Sequence, residues 1–333
     1  MQIRTAEIVA FGDESNVRIV TSELPDPGKR EVQVAVAYCE FSGADIGMRR
    51  GAYPLQKKPP LNPGYTVAGT VVAVGDRVQT LKVGDRVACL TVYGGEATRA
   101  NVPERFTYVV PMGVALDQAA CLILDGMTAY QMLVRAAEVR AGQSIFVHGL
   151  SGSVGNALVR LARSREIEVF GTASKRNHAE LEALGATPFD YANKAWIGAM
   201  RARRGVDAVF DPLGFESFDE SFAILAPEGI LVGYGSNLPA VKREPPRPIV
   251  GMTLKLLARN LALWSRKRTT FFGLSRRAKS FAVDFATLLE LARTEHFELS
   301  IKALFALDDV RKAHRAWSSG GGIGSTLIAI DRA

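Results

Sequence analysis

Three glycines, Gly149, Gly152 and Gly155, follow one another at intervals of three between a short apolar run and a segment with helical periodicity. Glycine permits a tight turn and lets the backbone approach a pyrophosphate, while the amides that open a helix supply partial positive charge. The chemistry this spacing suits is the holding of a dinucleotide by the amides of Gly149, Ser151, Gly152, Ser153, Val154 and Gly155. The pattern is G-x-x-G-x-x-G rather than the commoner G-x-G-x-x-G, so the motif alone also fits an ordinary strand-to-helix turn. About 20 residues after the glycines, an NAD site usually carries Asp or Glu for the ribose 2′-hydroxyl. Here Ser174, Lys175 and Arg176 stand instead. They suit a 2′-phosphate through charge-assisted hydrogen bonds, and NADP(H) is the expected cofactor. Asp125 is a carboxylate in the apolar stretch Leu122–Met127. It reads either as the cap of a helix beginning near Met127 or as an acid in a cleft.

These residues need elements to position them. Ile145, Phe146 and Val147 read as a buried strand leading into the loop, and Leu158, Val159, Leu161 and Ala162 recur at helical spacing after it. From 144 to about 237 the alternation continues, with strands expected at 145–148, 168–172, 207–211 and 230–234 and helices at 177–184, 194–203 and 217–225. That is the βαβ pattern of a parallel, doubly wound sheet. Residues 1–110 differ. Val32–Tyr38 alternates, Thr66–Val74 is a long β-branched run, and Gly75-Asp76 and Gly84-Asp85 punctuate it. A barrel-like β domain is expected there, followed by helices over Leu116–Ala120 and Thr128–Glu138. After an irregular, proline-marked stretch, helices are expected at 281–294 and 308–318, with a last strand over Ser325–Ile330.

At 333 residues two domains are the expectation. Hydrophobic content of 47% with 23% charged residues excludes a disordered chain. There is no run of about 18 apolar residues and no signal-peptide core, so a cytoplasmic protein is expected. Cys39, Cys89 and Cys121 have neither metal-finger nor disulfide spacing. The net charge of +7 permits an anionic partner without identifying one.

The run Gly64-Tyr-Thr-Val-Ala-Gly-Thr-Val-Val-Ala-Val-Gly75, then Val83-Gly-Asp-Arg-Val87, resembles the medium-chain dehydrogenase/reductase superfamily. So do Thr128-Ala-Tyr130, the glycine loop, Leu184-Gly-Ala186 and Val206-Asp-Ala-Val-Phe-Asp-Pro-Leu-Gly214, in family order over nearly the whole chain. The resemblance implies an α/β protein with a GroES-like β domain at 1–118 and 265–333 and a Rossmann domain at 119–264. It also implies a homodimer. Zinc-dependent members carry Cys where Ser42 stands and His-Glu where Tyr65-Thr66 stand, and residues 90–120 hold no cysteine. A catalytic zinc needs three protein ligands, so no metal is expected. What remains is the zinc-free quinone oxidoreductase and enoyl reductase branch, together with the synaptic-vesicle-membrane-protein-like group. Phe41–Pro54 also resembles that branch.

Without a Lewis acid the suitable substrate is an activated alkene or quinone, whose reduction spreads charge into an enolate that a few donors can hold. Tyr53 matches a cleft tyrosine of the family and is the expected donor, unless it is a packing residue before Pro54. Relatives carry uncharged residues at Asp125, which is the second candidate acid. Thr128 matches a threonine near the nicotinamide, Tyr191 a tyrosine at the 2′-phosphate, and Gly235 completes the expected cofactor set. Ser325 replaces a lysine common in relatives. His148 is expected in the core, and His296 and His314 on the surface.

Residues 242–279 are the least family-like. Met252–Trp264 reads as one amphipathic helix with Lys and Arg on both sides. The favoured expectation is a cover for the cleft. A membrane or lipid contact is a second reading, since basic flanks around Leu and Trp are an interfacial signature. An acidic substrate tail is a third. No stacking platform or reading helix points to nucleic acid. The expected function is NADPH-dependent, zinc-independent reduction of an α,β-unsaturated carbonyl or quinone. The alternative is a reductase-like NADP(H)-binding protein that acts in lipid or membrane binding.

Overall fold

β-branched residues with alternating burial build the N-terminal part of the protein. The computed structural model describes residues 1–262, 264–295, 297–319 and 321–330. Strands β1 (Gln2–Ile8) and β2 (Val17–Glu23) form an antiparallel pair. They are followed by β3 (Glu31–Phe41), β4 (Thr66–Val74), β5 (Arg86–Leu90), β6 (Arg99–Pro103) and β7 (Thr107–Val109). The central segment supplies β8 (Ser144–His148), β9 (Glu168–Ala173), β10 (Ala186–Asp190), β11 (Val206–Asp211), β12 (Leu225–Gly233) and β13 (Arg268–Phe271). Two strands close the chain, β14 (Ile301–Ala306) and β15 (Ser325–Ala329).

The chain divides into two compact units. The first holds Met1–Met127, Ser275–Gly320 and Ser325–Ala333. Its seven-stranded sheet has the path β14-β15-β3-β4-β5-β7, with β6 also paired to β3. The interior of this unit is branched and aliphatic: Val32, Val34, Val36, Val67, Val71 and Val87 are buried together. Such side chains pack well on a pleated surface.

The second unit holds Thr128–Leu274 and Gly321–Gly324. All of its strand pairs are parallel, in the order β10-β9-β8-β11-β12-β13. The order reverses between β8 and β11, and in such sheets ligands bind beyond the carboxyl ends of the strands at that point. Phe146, Phe170, Trp196, Met200 and Phe218 fill one face of the sheet.

Several expectations need correction. Strands β10, β13 and β14 were not anticipated, because Ala186–Asp190 contains Pro188 and Arg268–Phe271 opens on a charge. Strand β13 continues the parallel sheet, so the second unit runs past the expected boundary at 264, and it begins at Thr128 rather than 119. The helix expected over Met252–Trp264 is Ile249–Ala258 followed by a short 3-10 turn to Leu261. The helix at 128–138 is instead a short α turn, Met127–Tyr130, that loosens into a π turn over Gln131–Ala136. His314 is buried against Phe41 rather than exposed, and His296 lies outside the described residues.

Candidate functional site

In the second unit β8 ends at His148 and the chain turns through the glycine loop into the helix Ser153–Arg163. Gly149 has φ +76°, which a side chain rarely tolerates, and a Cβ placed there would meet nothing within 4 Å. Gly155 is needed for the opposite reason: a Cβ there would lie 2.2 Å from the Gly149 carbonyl oxygen. Gly149 N–H donates to Thr172 Oγ1 at 3.2 Å and Leu150 N–H to the Thr172 carbonyl at 2.9 Å, which ties the loop to the end of β9. Gly152 caps the helix with no side-chain acceptor. The first-turn amides of Ser153, Val154 and Gly155 have no acceptor within their own helix. Open space over Gly149 and free donors at a helix start fit a pyrophosphate.

The expected 2′-phosphate residues lie at the ends of the neighbouring strands. Ser174 precedes a 3-10 turn, Lys175–Asn177, directly after β9, and Lys175 and Arg176 are exposed there. Tyr191 follows β10, exposes its ring, and donates its N–H to the Ala173 carbonyl. The parallel register therefore brings the glycine loop, Ser174–Arg176 and Tyr191 to one end of one sheet. Gly235 follows β12 at the same end, and a Cβ there would meet the Pro212 carbonyl at 2.4 Å. Thr128 is buried at the start of this unit.

Sequence reasoning missed the residues that hold this end of the sheet together. Asp211, fully buried at the end of β11, accepts from Leu213 N–H, Gly214 N–H, Ser217 Oγ and Ser221 Oγ at 2.7–3.2 Å. Ser221 also bonds His148 Nε2 at 3.0 Å, and His148 Nδ1 faces Thr172 Oγ1. Burial lowers the His148 pKa against the pull of Asp211, so the imidazole sits in the core as expected. The Gly321–Gly324 segment returns onto the loop: Gly324 N–H donates to the Ser151 carbonyl, and Asn177 Nδ2 donates to the Gly322 carbonyl. The glycine run at 320–322 was the available signal.

In the first unit Tyr53 and Tyr65 meet, hydroxyl to hydroxyl, at 2.6 Å with their rings edge-on. Tyr53 is set by its N–H on Gln56 Oε1, and Gln56 in turn holds the Met48 carbonyl. Burial first, and then the neighbouring hydroxyl, pushes Tyr53 above the usual phenol range; burial also raises Tyr65. Both are protonated donors at neutral pH. Ser42 and Asp45 form a capping box on the helix Gly43–Arg49, and Asp45 also accepts from Gly64 N–H. Burial pushes Asp45 up to about 6. The two side chains at the zinc-ligand positions of relatives are thus both engaged, Ser42 in a cap and Tyr65 with Tyr53. Among the described residues no three His, Cys, Asp or Glu side chains converge in a group that could hold a metal ion.

Asp125 does not cap a helix. It sits 2% exposed in a π turn, Leu122–Gly126, and its carboxylate accepts from Ser325 Oγ at 2.9 Å. The chain continues as helix through this point, so no free amide is there for Asp125 to cap. Nor does so enclosed a carboxylate face solvent as a cleft acid would. Its neighbour Glu40 is also fully buried, and neither carboxylate oxygen of Glu40 has a hydrogen-bond partner among the described residues. Burial, then Asp125, drive the Glu40 carboxyl well above its ordinary range.

Comparisons with known proteins agree with this architecture. Residues 28–143 match the family described as alcohol dehydrogenase GroES-like domain, and 184–328 the family described as zinc-binding dehydrogenase. The probable quinone oxidoreductase of Schizosaccharomyces pombe is 30% identical, over 97% of this chain and 95% of its own length. The chain belongs to the quinone oxidoreductase branch of the medium-chain dehydrogenase/reductase superfamily. Its two units are the GroES-like and Rossmann folds of that branch. The synaptic vesicle membrane protein VAT-1 homolog of Rattus norvegicus is also 30% identical, over 98% of this chain and 84% of its own. Among solved structures, a mycobacterial protein complexed with NADPH has a TM-score of 0.86 at 27% identity, covering 98% of this chain and all of the other.

Proposed function

We propose that this member of the quinone oxidoreductase branch binds NADP(H) and reduces an activated C=C bond or a quinone without a metal. The carrying observation is the glycine turn with unpaired amides at a helix start, beside exposed Lys175 and Arg176 on the next strand end. The NADPH complex of the mycobacterial relative supports the same cofactor.

The amides of Ser153, Val154 and Gly155 hold the pyrophosphate, and Lys175 and Arg176 pair with the 2′-phosphate. When bound, the cofactor supplies the hydride that adds to the β-carbon of the substrate. Tyr53 donates a hydrogen bond to the oxygen where negative charge develops, and Tyr65 keeps its hydroxyl oriented through the 2.6 Å contact. Because both phenols hold their protons, Tyr53 acts as a donor throughout the physiological range. Asp125 takes no part in this proposal.

Steady-state NADPH oxidation against a panel of enones, enoyl thioesters and quinones tests the reading. Turnover of at least one class, with NADPH preferred over NADH, is expected. Absence of turnover with all three classes, despite tight NADPH binding, would instead favour the lipid- or membrane-binding alternative that the VAT-1 relatives suggest.

A further inference from the structure

Across the ligand ends of β9, β8 and β11 runs a row of side chains whose hydrogen bonds have a direction. His148 closes β8 with its ring edge-on to Phe146 and Trp196, at centroid distances of 5.2 and 5.1 Å. Its Nδ1 meets Thr172 Oγ1 on β9 at 3.3 Å, and its Nε2 meets Ser221 Oγ on the helix Ser217–Ala223 at 3.0 Å. Ser221 donates onward to Asp211 Oδ2 at 2.7 Å, and Ser217, one turn earlier on the same helix face, donates to that oxygen too. Asp211 Oδ2 itself stands 4.0 Å from His148 Nε2, outside hydrogen-bond reach. His148, Thr172, Ser221 and Asp211 are each 5% exposed or less. Groups so enclosed must satisfy one another.

Each hydroxyl has one proton to give, and that sets the direction of the row. The short bond to Asp211 takes the proton of Ser221. Ser221 Oγ then accepts from His148, so Nε2 carries the ring proton. The opposite tautomer would set a bare Nε2 against a lone pair of Ser221 at 3.0 Å. Burial lowers the His148 pKa, and a neutral ring has no second proton. Nδ1 is therefore bare, and the Thr172 hydroxyl donates to it. With its proton turned to His148, Thr172 Oγ1 presents a lone pair to the Gly149 amide, which donates to it at 3.2 Å. At the other end Asp211 Oδ1 accepts from Leu213 N–H and Gly214 N–H. The row thus ties together the turns after β8 and β11, on the two sides of the point where strand order reverses.

Gly149 has φ +76° and open space where a side chain would stand, so sterics restrain it little. Its amide bond to Thr172 therefore helps decide how the chain enters the loop. Leu150 is held by the Thr172 carbonyl and Gly152 by the Gly149 carbonyl, backbone acceptors that a side-chain substitution leaves in place. The Thr172 hydroxyl, by contrast, is free to rotate unless His148 fixes it. We infer that His148 and Ser221 are positioning residues for the cofactor: held as the Nε2–H tautomer by Ser221 and Asp211, the His148 ring aims Thr172 Oγ1 at Gly149 and so sets the loop that leads to the pyrophosphate amides. This rests on the NADP(H) reading of the glycine loop and extends its control to a helix about 70 residues further along the chain.

The test is NADPH affinity of the full chain by fluorescence titration, joined to NMR of the ring. Ser221→Ala and Thr172→Val should each weaken NADPH binding by about five- to tenfold, the worth of one hydrogen bond. The double variant should lose no more than either single one, because both cut the same row. Thr172→Ser keeps the hydroxyl and should bind within about twofold of the unmutated chain. Long-range proton–nitrogen spectra should show His148 with a protonated Nε2 and a bare Nδ1, and Ser221→Ala should move population to the other tautomer. Thermal denaturation checks separately that each variant is folded. A folded Ser221→Ala chain that binds NADPH like the unmutated one would overturn the inference. So would additive losses in the double variant, the mark of two independent packing defects, or a bare Nε2 in the unmutated protein. Should Ser221→Ala fail to fold, the contrast between Thr172→Val and Thr172→Ser and the tautomer of the unmutated chain still decide. Absence of NADPH binding by the unmutated chain would instead sink the proposed cofactor, and the positioning role with it.

Discussion

Buried carboxylates in the two units are handled in opposite ways. In the parallel-sheet unit Asp211 is fully enclosed but receives two backbone amides and two serine hydroxyls. In the GroES-like unit Glu40 and Glu96 are equally enclosed, and among the described residues no oxygen of either has a hydrogen-bond partner. Burial drives both Glu40 and Glu96 well above the ordinary carboxylate range, with Asp125 adding to the effect on Glu40 and Asp45 to that on Glu96. Equal burial thus leaves two different hydrogen-bonding situations, set by the donors around each carboxylate. One unit spends its buried acid on fixing a loop at the ligand end of a sheet. The other leaves its buried acids without such donors, and burial raises their pKa values.

The sharpest way to break this comparison is through the pair of hydroxyls in the GroES-like unit. Tyr53→Phe should lower kcat by about 10²–10⁴-fold on an enone, the range for a positioned acid, with NADPH affinity unchanged. Retention of more than about a third of kcat would make the tyrosine a packing residue.

In the other unit, Gly155→Ala pushes a methyl group against the Gly149 carbonyl, and NADPH binding measured by fluorescence titration should fall by about 100-fold. Gly198→Ala, whose added Cβ meets nothing, is the matched control and should bind normally. Equal losses from both substitutions would mean that the loop is no cradle.

The buried acids predict a pH signature. The folded state keeps the protons of Glu40 and Glu96 at pH values where the unfolded chain has released them. It therefore binds more protons, and stability falls as pH rises above about 4. Glutamine has no proton to lose. Glu40→Gln and Glu96→Gln should be near neutral at about pH 4 and more stable than the unmutated chain by about 1–3 kcal/mol at about pH 8, read by denaturant titration. Asp211→Asn has the opposite expectation, a loss of stability at about pH 8, because it removes an acceptor from Ser217 or Ser221. The same sign for all three would erase the contrast between the units.

The smallest effect lies at the cofactor's edge. NADPH should bind about tenfold tighter than NADH, or about 1.4 kcal/mol, and Lys175→Ala/Arg176→Ala should remove most of that gap. Equal affinities in the unmutated protein would withdraw the 2′-phosphate assignment.

Much of the dinucleotide unit was legible because its signals are local. A glycine at positive φ, a helix that opens on glycines and a strand of Ile, Phe and Val are dictated within ten or so residues, and Gly149, Gly152 and Gly155 sit where their spacing implied. Strand β13 was not legible. Arg268-Thr-Thr-Phe271 is short and opens on a charge, and it becomes a strand only because β12 offers an open parallel edge. Asp125 was misread for a related reason. A carboxylate before a helical pattern suggests a cap, but the polypeptide already turns helically through it, and its partner Ser325 is 200 residues away.

The sequence by itself determined the strand-and-helix alternation, the glycine turn, the basic replacement for an acidic ribose contact, and the loss of two zinc-ligand residue types at Ser42 and Tyr65. These follow from residue chemistry at short range. Only the tertiary structure decided that Tyr65 would spend its hydroxyl on Tyr53, that Gly324 would return to hold Ser151, and that Met252 and Leu256 would join the buried cluster of the parallel-sheet unit. Those outcomes depend on which distant segments share a surface, and pairings across tens to hundreds of residues leave no periodic mark in a chain.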